Sequence, residues 1–352
     1  MSASARPTAR PLAVLALLPA LLVLPGGAGA TGSAATFEDG NGRIVFRRYL
    51  DDDRTWGALF SVRPDGTGER RITRPPRGFV DNNPDVSPDG RRIVFQRRSD
   101  GSDEVWMVDS DGTDLHPVTQ QPTAGATCDT GGFCDVSPAW SPDGSQVVFG
   151  RAFGPVRNGL IQRNALFVVD ADGTDPRQLT QLDLPATGED AEPQWSPDGD
   201  EILFQRYNVR SARPRDGVAL WILDVSSGKE RRITPFPLAA GDTPDWSPDG
   251  RRILFHDNLD GTEGVSANLF TVRPDGTGLG QLTFADDGIT QHLGSSYSPD
   301  GQKIVFGLRR PTSGGTEPGA ADVFVMRVDG SHVRNLTRTG RYDSYPDWGP
   351  RS

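Results

Sequence analysis

An all-β fold is what this sequence predicts, and three observations predict it. The turn Ser-Pro-Asp-Gly stands at Ser87, Ser141, Ser196, Ser247 and Ser298, in steps of 54, 55, 51 and 51 residues, with a degenerate copy at Trp348-Gly349-Pro350. Around each copy the same short β-branched and aromatic runs recur, bounded by Gly, Pro and Asp, which is strand rather than helix chemistry. No apolar helical period is sustained anywhere in the chain. Four short strands in a unit of roughly 50 residues are the pattern of a propeller blade. Six such units predict a six-bladed β-propeller of four-stranded antiparallel blades.

The chain does not start with a blade. Arg6 and Arg10 precede an apolar run from Leu12 to Leu24, and Ala28-Gly29-Ala30 follows. This is the layout of a secretory signal peptide over residues 1–30. An uncleaved anchor is the competing reading, but the run is short for a bilayer span of about 20 residues. Residues 31–40 then form a short lead and 41–352 the propeller. Cleavage predicts a secreted or cell-envelope, periplasmic protein, with no later transmembrane segment. The formal charge of −10 becomes −12 without Arg6 and Arg10. An acidic surface excludes nucleic acid as a natural partner. Cys128 and Cys134, the only cysteines, bracket a Gly-rich stretch and predict one local disulfide in an exported protein.

Within a unit, Pro-x-Trp leads into Ser-Pro-Asp-Gly, and a run such as Ile253 to Phe255 follows. A second strand such as Leu269 to Val272 ends in Asp-Gly-Thr, and a short strand of the type Arg232-Ile233-Thr234 closes the unit. The Asp-Gly pairs suit tight turns because glycine takes positive φ without penalty. The chain begins with the second strand of a blade, Ile44 to Phe46, and ends with an orphan first strand at 345–350. The C-terminus is therefore expected to supply the innermost strand of the blade that the N-terminus begins, leaving no open edge.

The unit Trp246-Ser247-Pro248-Asp249-Gly250, followed by Arg251-Arg252-Ile253-Leu254-Phe255, resembles the WD40-like propeller repeat of the TolB family. The resemblance covers roughly residues 41 to 350. It implies a propeller that binds protein partners, here without the leading α/β domain of TolB. The repeat is also similar to that of oligogalacturonate lyases and of the propellers in some exported peptidases.

Both tight turns of a blade are expected on one rim and the variable loops on the other. Function is expected at the variable rim. At the start of the innermost strands stand Asp81, Asp135, Asp190 and Asp343, three residues before each proline, with Asp242 one place nearer and His292 in the remaining unit. These are candidates for a partner-binding ring at the channel mouth. Arg97, Arg151, Arg206 and Arg48 fall opposite four of them, so structural Asp–Arg pairs are the competing account. The other two units offer His256 and Asp257, or no arginine. Asp242, His256, Asp257 and His292 are thus the candidate ligands of a divalent cation. Trp56, Phe153, Tyr207 and Phe284 stand ready to pack on a partner or stack on sugar. No catalytic residue is assigned. The expected function is a scaffold binding a protein or peptide, of cationic character given the acid at the mouth. The alternative is a metal-dependent carbohydrate-active lyase or hydrolase.

Overall fold

The computed structural model describes residues 40–352 except 100, 122–125, 129, 131, 154–162, 182–188, 208–216, 258–265 and 312–317. The expected signal peptide, and the lead up to residue 39, lie outside the described residues. So do large parts of the loops after Phe153, Tyr207, Asp257 and Pro311.

The regular structure of the described chain is strand, apart from one 3-10 turn at Phe236–Leu238. In order the strands are β1 (Asn41–Tyr49), β2 (Gly57–Val62), β3 (Arg70–Arg71), β4 (Val80–Val86), β5 (Arg92–Ser99), β6 (Ser102–Asp109), β7 (His116–Pro117), β8 (Phe133–Trp140), β9 (Gln146–Phe153), β10 (Arg163–Asp170), β11 (Arg177–Gln178), β12 (Asp190–Trp195), β13 (Glu201–Tyr207), β14 (Val218–Asp224), β15 (Glu230–Arg232), β16 (Ala240–Trp246), β17 (Ile253–Asp257), β18 (Leu269–Val272), β19 (Gly280–Gln281), β20 (Gln291–Tyr297), β21 (Lys303–Pro311), β22 (Pro318–Arg327), β23 (Arg334–Asn335) and β24 (Asp343–Pro350). β12–β15, β16–β19 and β20–β23 are separate four-stranded antiparallel meanders. β4–β7 and β8–β11 are further meanders, joined into one larger sheet by short parallel contacts at Gly57–Val80 and Asp103–Cys134. β24 pairs antiparallel with β1, with Ile44 opposite Trp348 and Arg48 opposite Asp343, so the two ends of the chain share one sheet.

Each Ser-Pro-Asp-Gly is a turn built by its own side chains. The Ser87 hydroxyl donates to Asp89 Oδ1 at 2.6 Å and accepts the Arg92 amide at 2.9 Å, while the Gly90 amide donates to the Ser87 carbonyl at 2.8 Å. Gly90 has φ +70°, a region that costs an L side chain strain. The same bonds recur at Ser141, Ser196, Ser247 and Ser298. The motif is thus a geometric device. The Asp-Gly-Thr turn brings neighbouring sheets together: a Cβ on Gly276 would lie 2.8 Å from the Ile233 carbonyl of the preceding sheet.

The core lies between successive sheets. Leu203, Leu220 and Ile222 meet Trp246, Ile253 and Phe255 of the next meander. Val305, Val323 and Val325 meet Ile44, Phe46 and Trp348, which belong to the sheet formed by the two chain ends. The phenylalanine ending each second-strand run, from Phe46 to Phe306, is at most 1 % exposed. Cys128 and Cys134 form the expected disulfide.

Truncating such a phenylalanine removes a large apolar body and leaves a cavity. Phe255→Ala is expected to lower the unfolding free energy by about 3–5 kcal/mol in denaturant titrations. Phe284→Ala, at a side chain 75 % exposed, should change it by no more than about 0.5 kcal/mol.

Candidate functional site

The four aspartates expected at the mouth are fully buried. Asp81, Asp135, Asp190 and Asp343 are at most 1 % exposed, and each faces its arginine across an antiparallel pair. Both carboxylate oxygens accept from the guanidinium of Arg97, Arg151, Arg206 or Arg48 at 2.5–2.9 Å. Each also takes a hydrogen bond from the threonine that closes the preceding unit, Thr73, Thr119, Thr180 or Thr337. That threonine oxygen accepts an amide of its own sheet, as in Leu59 N to Thr73 Oγ1 at 3.0 Å. Burial by itself would lower the pKa of Arg48 and Arg206. Hydrogen bonds to Asp343 with Glu69, and to Asp190 with Glu230, outweigh it and hold both cations charged. These pairs form a structural girdle that fastens each sheet to the one before it.

The remaining two sheets depart from this pattern. In β16 the register sets Ala240 opposite Asp257 and Gly241 opposite His256. Asp242 falls in the bulge that follows, so it is an inserted residue and no counterpart of Asp81. Its side chain lies outside the described ones. His292 does take the position of the girdle aspartates, opposite Leu308. It is 4 % exposed, and its Nδ1 lies 2.7 Å from the Ala267 carbonyl, which can only accept, so Nδ1 carries the proton. Burial lowers its pKa to about 4, with His256 adding to the shift, so the ring is neutral at pH 7. His256 is 3 % exposed, and Asp257 accepts the Asn268 amide. Among the described residues, no three His, Cys, Asp or Glu side chains come together as a metal-binding group.

A second set of residues, missed by the sequence reading, meets at one cavity. Every innermost strand shifts register by a bulge near its proline. Asn83, Ser137, Glu192, Thr243 and Tyr345 there have φ between 44° and 52°, and Gly294 has φ 73°. Such strain in non-glycine residues is uncommon and gathers at functional sites. Together with Asp85, Gln194, Asp245, Ser296 and Asp347 they line a cavity of about 50 Å³, enough for a small ion, a side-chain head group or a few waters. Asn83 Nδ2 donates to Ser137 Oγ at 2.8 Å, and Ser137 Oγ to Glu192 Oε1 at 2.7 Å. The buried hydroxyls of Thr243 and Ser295, both on this cavity, have no hydrogen-bond partner among the described residues.

Three carboxylates line this cavity. Asp85 accepts the Trp140 amide at 2.7 Å, Asp245 the Tyr297 amide at 2.7 Å, and Asp347 the Val86 amide at 2.8 Å, each on the first strand of the following meander. Ser296 Oγ donates to Asp347 at 3.0 Å. Burial pushes the Asp85 carboxyl well above the carboxylate range, and the charges of Asp347 and Asp245 push it further. Burial chiefly, with Asp347 reinforcing it against the pull of the Tyr297 amide, raises Asp245 to about 7. Burial raises Asp347 as well. The sequence carries one local mark of them: each directly follows the strand's proline, in Pro84-Asp85-Val86, Pro244-Asp245-Trp246 and Pro346-Asp347-Trp348.

The family model of the TolB beta propeller domain matches residues 163–352, more than half of the chain. The chain belongs to the TolB β-propeller domain family. An uncharacterized protein of Agrobacterium fabrum is 31 % identical over 153 residues, 42 % of this chain and 47 % of that one. The matched stretch spans less than half the length of the curated relatives. The crystal structure of TolB from Acinetobacter baumannii is similar with TM-score 0.64 at 18 % identity, over 90 % of this chain and 68 % of that one. An oligogalacturonate lyase in complex with manganese is similar with TM-score 0.50 at 17 % identity, over 85 % of this chain and 74 % of that one. The neighbours of this TolB-like propeller thus include both TolB and an enzyme.

Two measurements check these energetics. Asp190→Ala leaves Arg206 buried with only Glu230, and should cost about 3–5 kcal/mol in denaturant unfolding. Asp245 holds its proton in the folded chain up to about pH 7 but in the unfolded chain only to about pH 4. The folded state therefore binds more protons between those values, and stability falls as pH rises through that window. Asp245→Asn removes this loss, so the variant should gain stability relative to the parent between pH 4 and pH 8.

Proposed function

We propose that this chain is an exported scaffold whose axial channel receives a cationic side chain of a protein or peptide partner. The observation that carries the reading is the convergence of Asp85, Asp245 and Asp347 on a small cavity that also holds the unpartnered hydroxyls of Thr243 and Ser295. Burial raises all three carboxyls above the carboxylate range, and at Asp85 and Asp245 the neighbouring carboxylates add to it. An entering ammonium displaces their protons and supplies the missing counter-charge. The overall charge of −10 favours approach of a cationic partner. The architecture proposed for this site is six four-stranded blades closed by β24 on β1, supported by the pairing of the chain ends and by the core they share with β20–β23. The variable rim, with Glu69 and Glu230 tied to Arg48 and Arg206, would form the mouth. In this reading Asp81, Asp135, Asp190 and Asp343 brace the mouth from within, and His256, Asp257 and His292 brace the two sheets that lack an arginine.

Calorimetry with an acetylated, amidated Gly-Lys-Gly-Lys-Gly peptide tests the reading. The peptide should bind, lose affinity as salt is raised, and bind at least about tenfold more weakly to Asp85→Asn/Asp245→Asn, about 1.4 kcal/mol. Equal binding by that variant, or by the peptide with acetylated lysines, would show that the channel carboxylates are not the receptor.

A further inference from the structure

The turn rim, opposite the variable loops, carries a groove larger than the cavity at the junction of β1–β3 with β4–β7. It lies between the β16–β19 and β20–β23 sheets and measures about 560 Å³, within the range of ligand pockets. Arg252, Thr271, Leu282, Tyr297, Pro299 and Val328 are among its walls. Three local departures from the repeat open it. At other junctions a tryptophan packs in a cluster with a bulky residue of the preceding sheet: Trp140 with Met107, Trp246 with Ile222, Trp348 with Val325. Here Tyr297 and Thr271 take those positions. The third departure is Gly280. Its place is held by His116 and Arg177 in two other units and by Arg70, Arg231 and Arg334 in three, where the guanidinium crosses to the turn of the following sheet. Arg70 donates to the Ser110 carbonyl at 2.8 Å, Arg231 to Pro274 at 2.5 Å, and Arg334 to Pro64 at 2.5 Å and Asp65 at 3.2 Å.

One junction provides a control. Between the β1–β3 and β4–β7 sheets the positions of Thr271 and Tyr297 are held by Ser61 and Val86, which are smaller still. There Arg43 and Arg70 both reach the Ser61 hydroxyl, at 2.8 and 3.4 Å, and the remaining cavity is only about 110 Å³. Small residues open the groove, and an arginine crossing it fills it. Where Gly280 stands, no side chain of the outer strand can cross.

We propose that this groove binds a guanidinium group, the side chain of an arginine carried by a partner protein. The partner's arginine would take the course that Arg70, Arg231 and Arg334 take elsewhere. Its stem would lie along Leu282, Tyr297 and Val328, and its head would donate to the carbonyl of Val328, the counterpart of Ser110, Pro274 and Pro64. Asp249 and Asp300 also line the groove and favour a cation. Arg252 does not bar it: its Nη1 is engaged by the Gly278 carbonyl, and Arg43, in the same position of its own sheet, already stands beside Arg70. This site is on the opposite rim from the proposed variable-loop mouth and does not depend on the axial carboxylates.

The test is an amide NMR titration with acetyl-Leu-Arg-Leu-amide and its citrulline analogue, which keeps the shape and removes the charge. The arginine peptide should shift the amides of Gly280, Val328 and Gly330, and the citrulline peptide should bind about tenfold more weakly or worse. Gly280→Arg should abolish binding by filling the groove from within. A Cβ at that position meets nothing nearer than Thr271 Oγ1 at 3.9 Å, so the variant should fold and melt at or above the parent temperature. Asp85→Asn/Asp245→Asn should bind the arginine peptide unchanged, which separates this site from the axial one. Equal affinity for citrulline, binding that survives Gly280→Arg, or no shift at these amides would each overturn the proposal.

Discussion

The axis of this protein depends on one backbone feature, the bulge beside the proline of each innermost strand. Side chains alternate along a strand, so Asp81 and Asp85 would share a face if the strand were regular. The extra residue between them reverses that parity. Asp81 then turns back to Thr73 of the preceding sheet, and Asp85 turns forward to the amide of Trp140 in the following one. The same strand thereby fastens both of its neighbours. The strain of a left-handed residue at Asn83 or Thr243 is offset by these bonds and by burial of the strand.

That arrangement places opposite chemistry at the two ends of one strand. At its start, the carboxylates meet guanidinium groups in bidentate pairs and their charge is compensated. Past the bulge, Asp85, Asp245 and Asp347 have amide and hydroxyl donors but, among the described residues, no paired cation, and burial raises all three. A carboxylate satisfied by arginine is a structural part. One satisfied only by neutral donors, next to two others, is what the proposed role as a receptor for positive charge rests on. The assignment of function to the axis rests on this contrast rather than on the number of acidic residues.

Repetition also works as an internal comparison. A position that holds arginine in several units and glycine in one is more informative than any single unit. Gly280, Thr271 and Tyr297 each read as a tolerable substitution on their own. Only their meeting in one junction opens a groove, because the three come from two adjacent sheets. The turn rim, uniform in its Ser-Pro-Asp-Gly bonds, is therefore not uniform between its sheets.

Much of the fold was legible in the sequence because its causes are local. The Ser-Pro-Asp-Gly turn is closed by hydrogen bonds within six residues, and the strands follow from short β-branched runs between such turns. The pairing of β24 with β1 followed from counting strands, and the Asp–Arg girdle from the offset between two neighbouring strands. The axial site was not legible in the same way. Asp85, Asp245 and Asp347 sit in three separate units, and nothing local shows that a bulge turns each of them off the face of the girdle aspartates. The sequence likewise aligned Asp242 with that girdle, whereas the longer bulge in β16 leaves Ala240 in the position and Asp242 beside it. The sequence by itself determined the strands, the turns and the order of the sheets, since these depend on residues within one unit. Tertiary structure alone decided which carboxylates are neutralised and which converge, because burial and charge at the axis depend on residues brought together from different sheets.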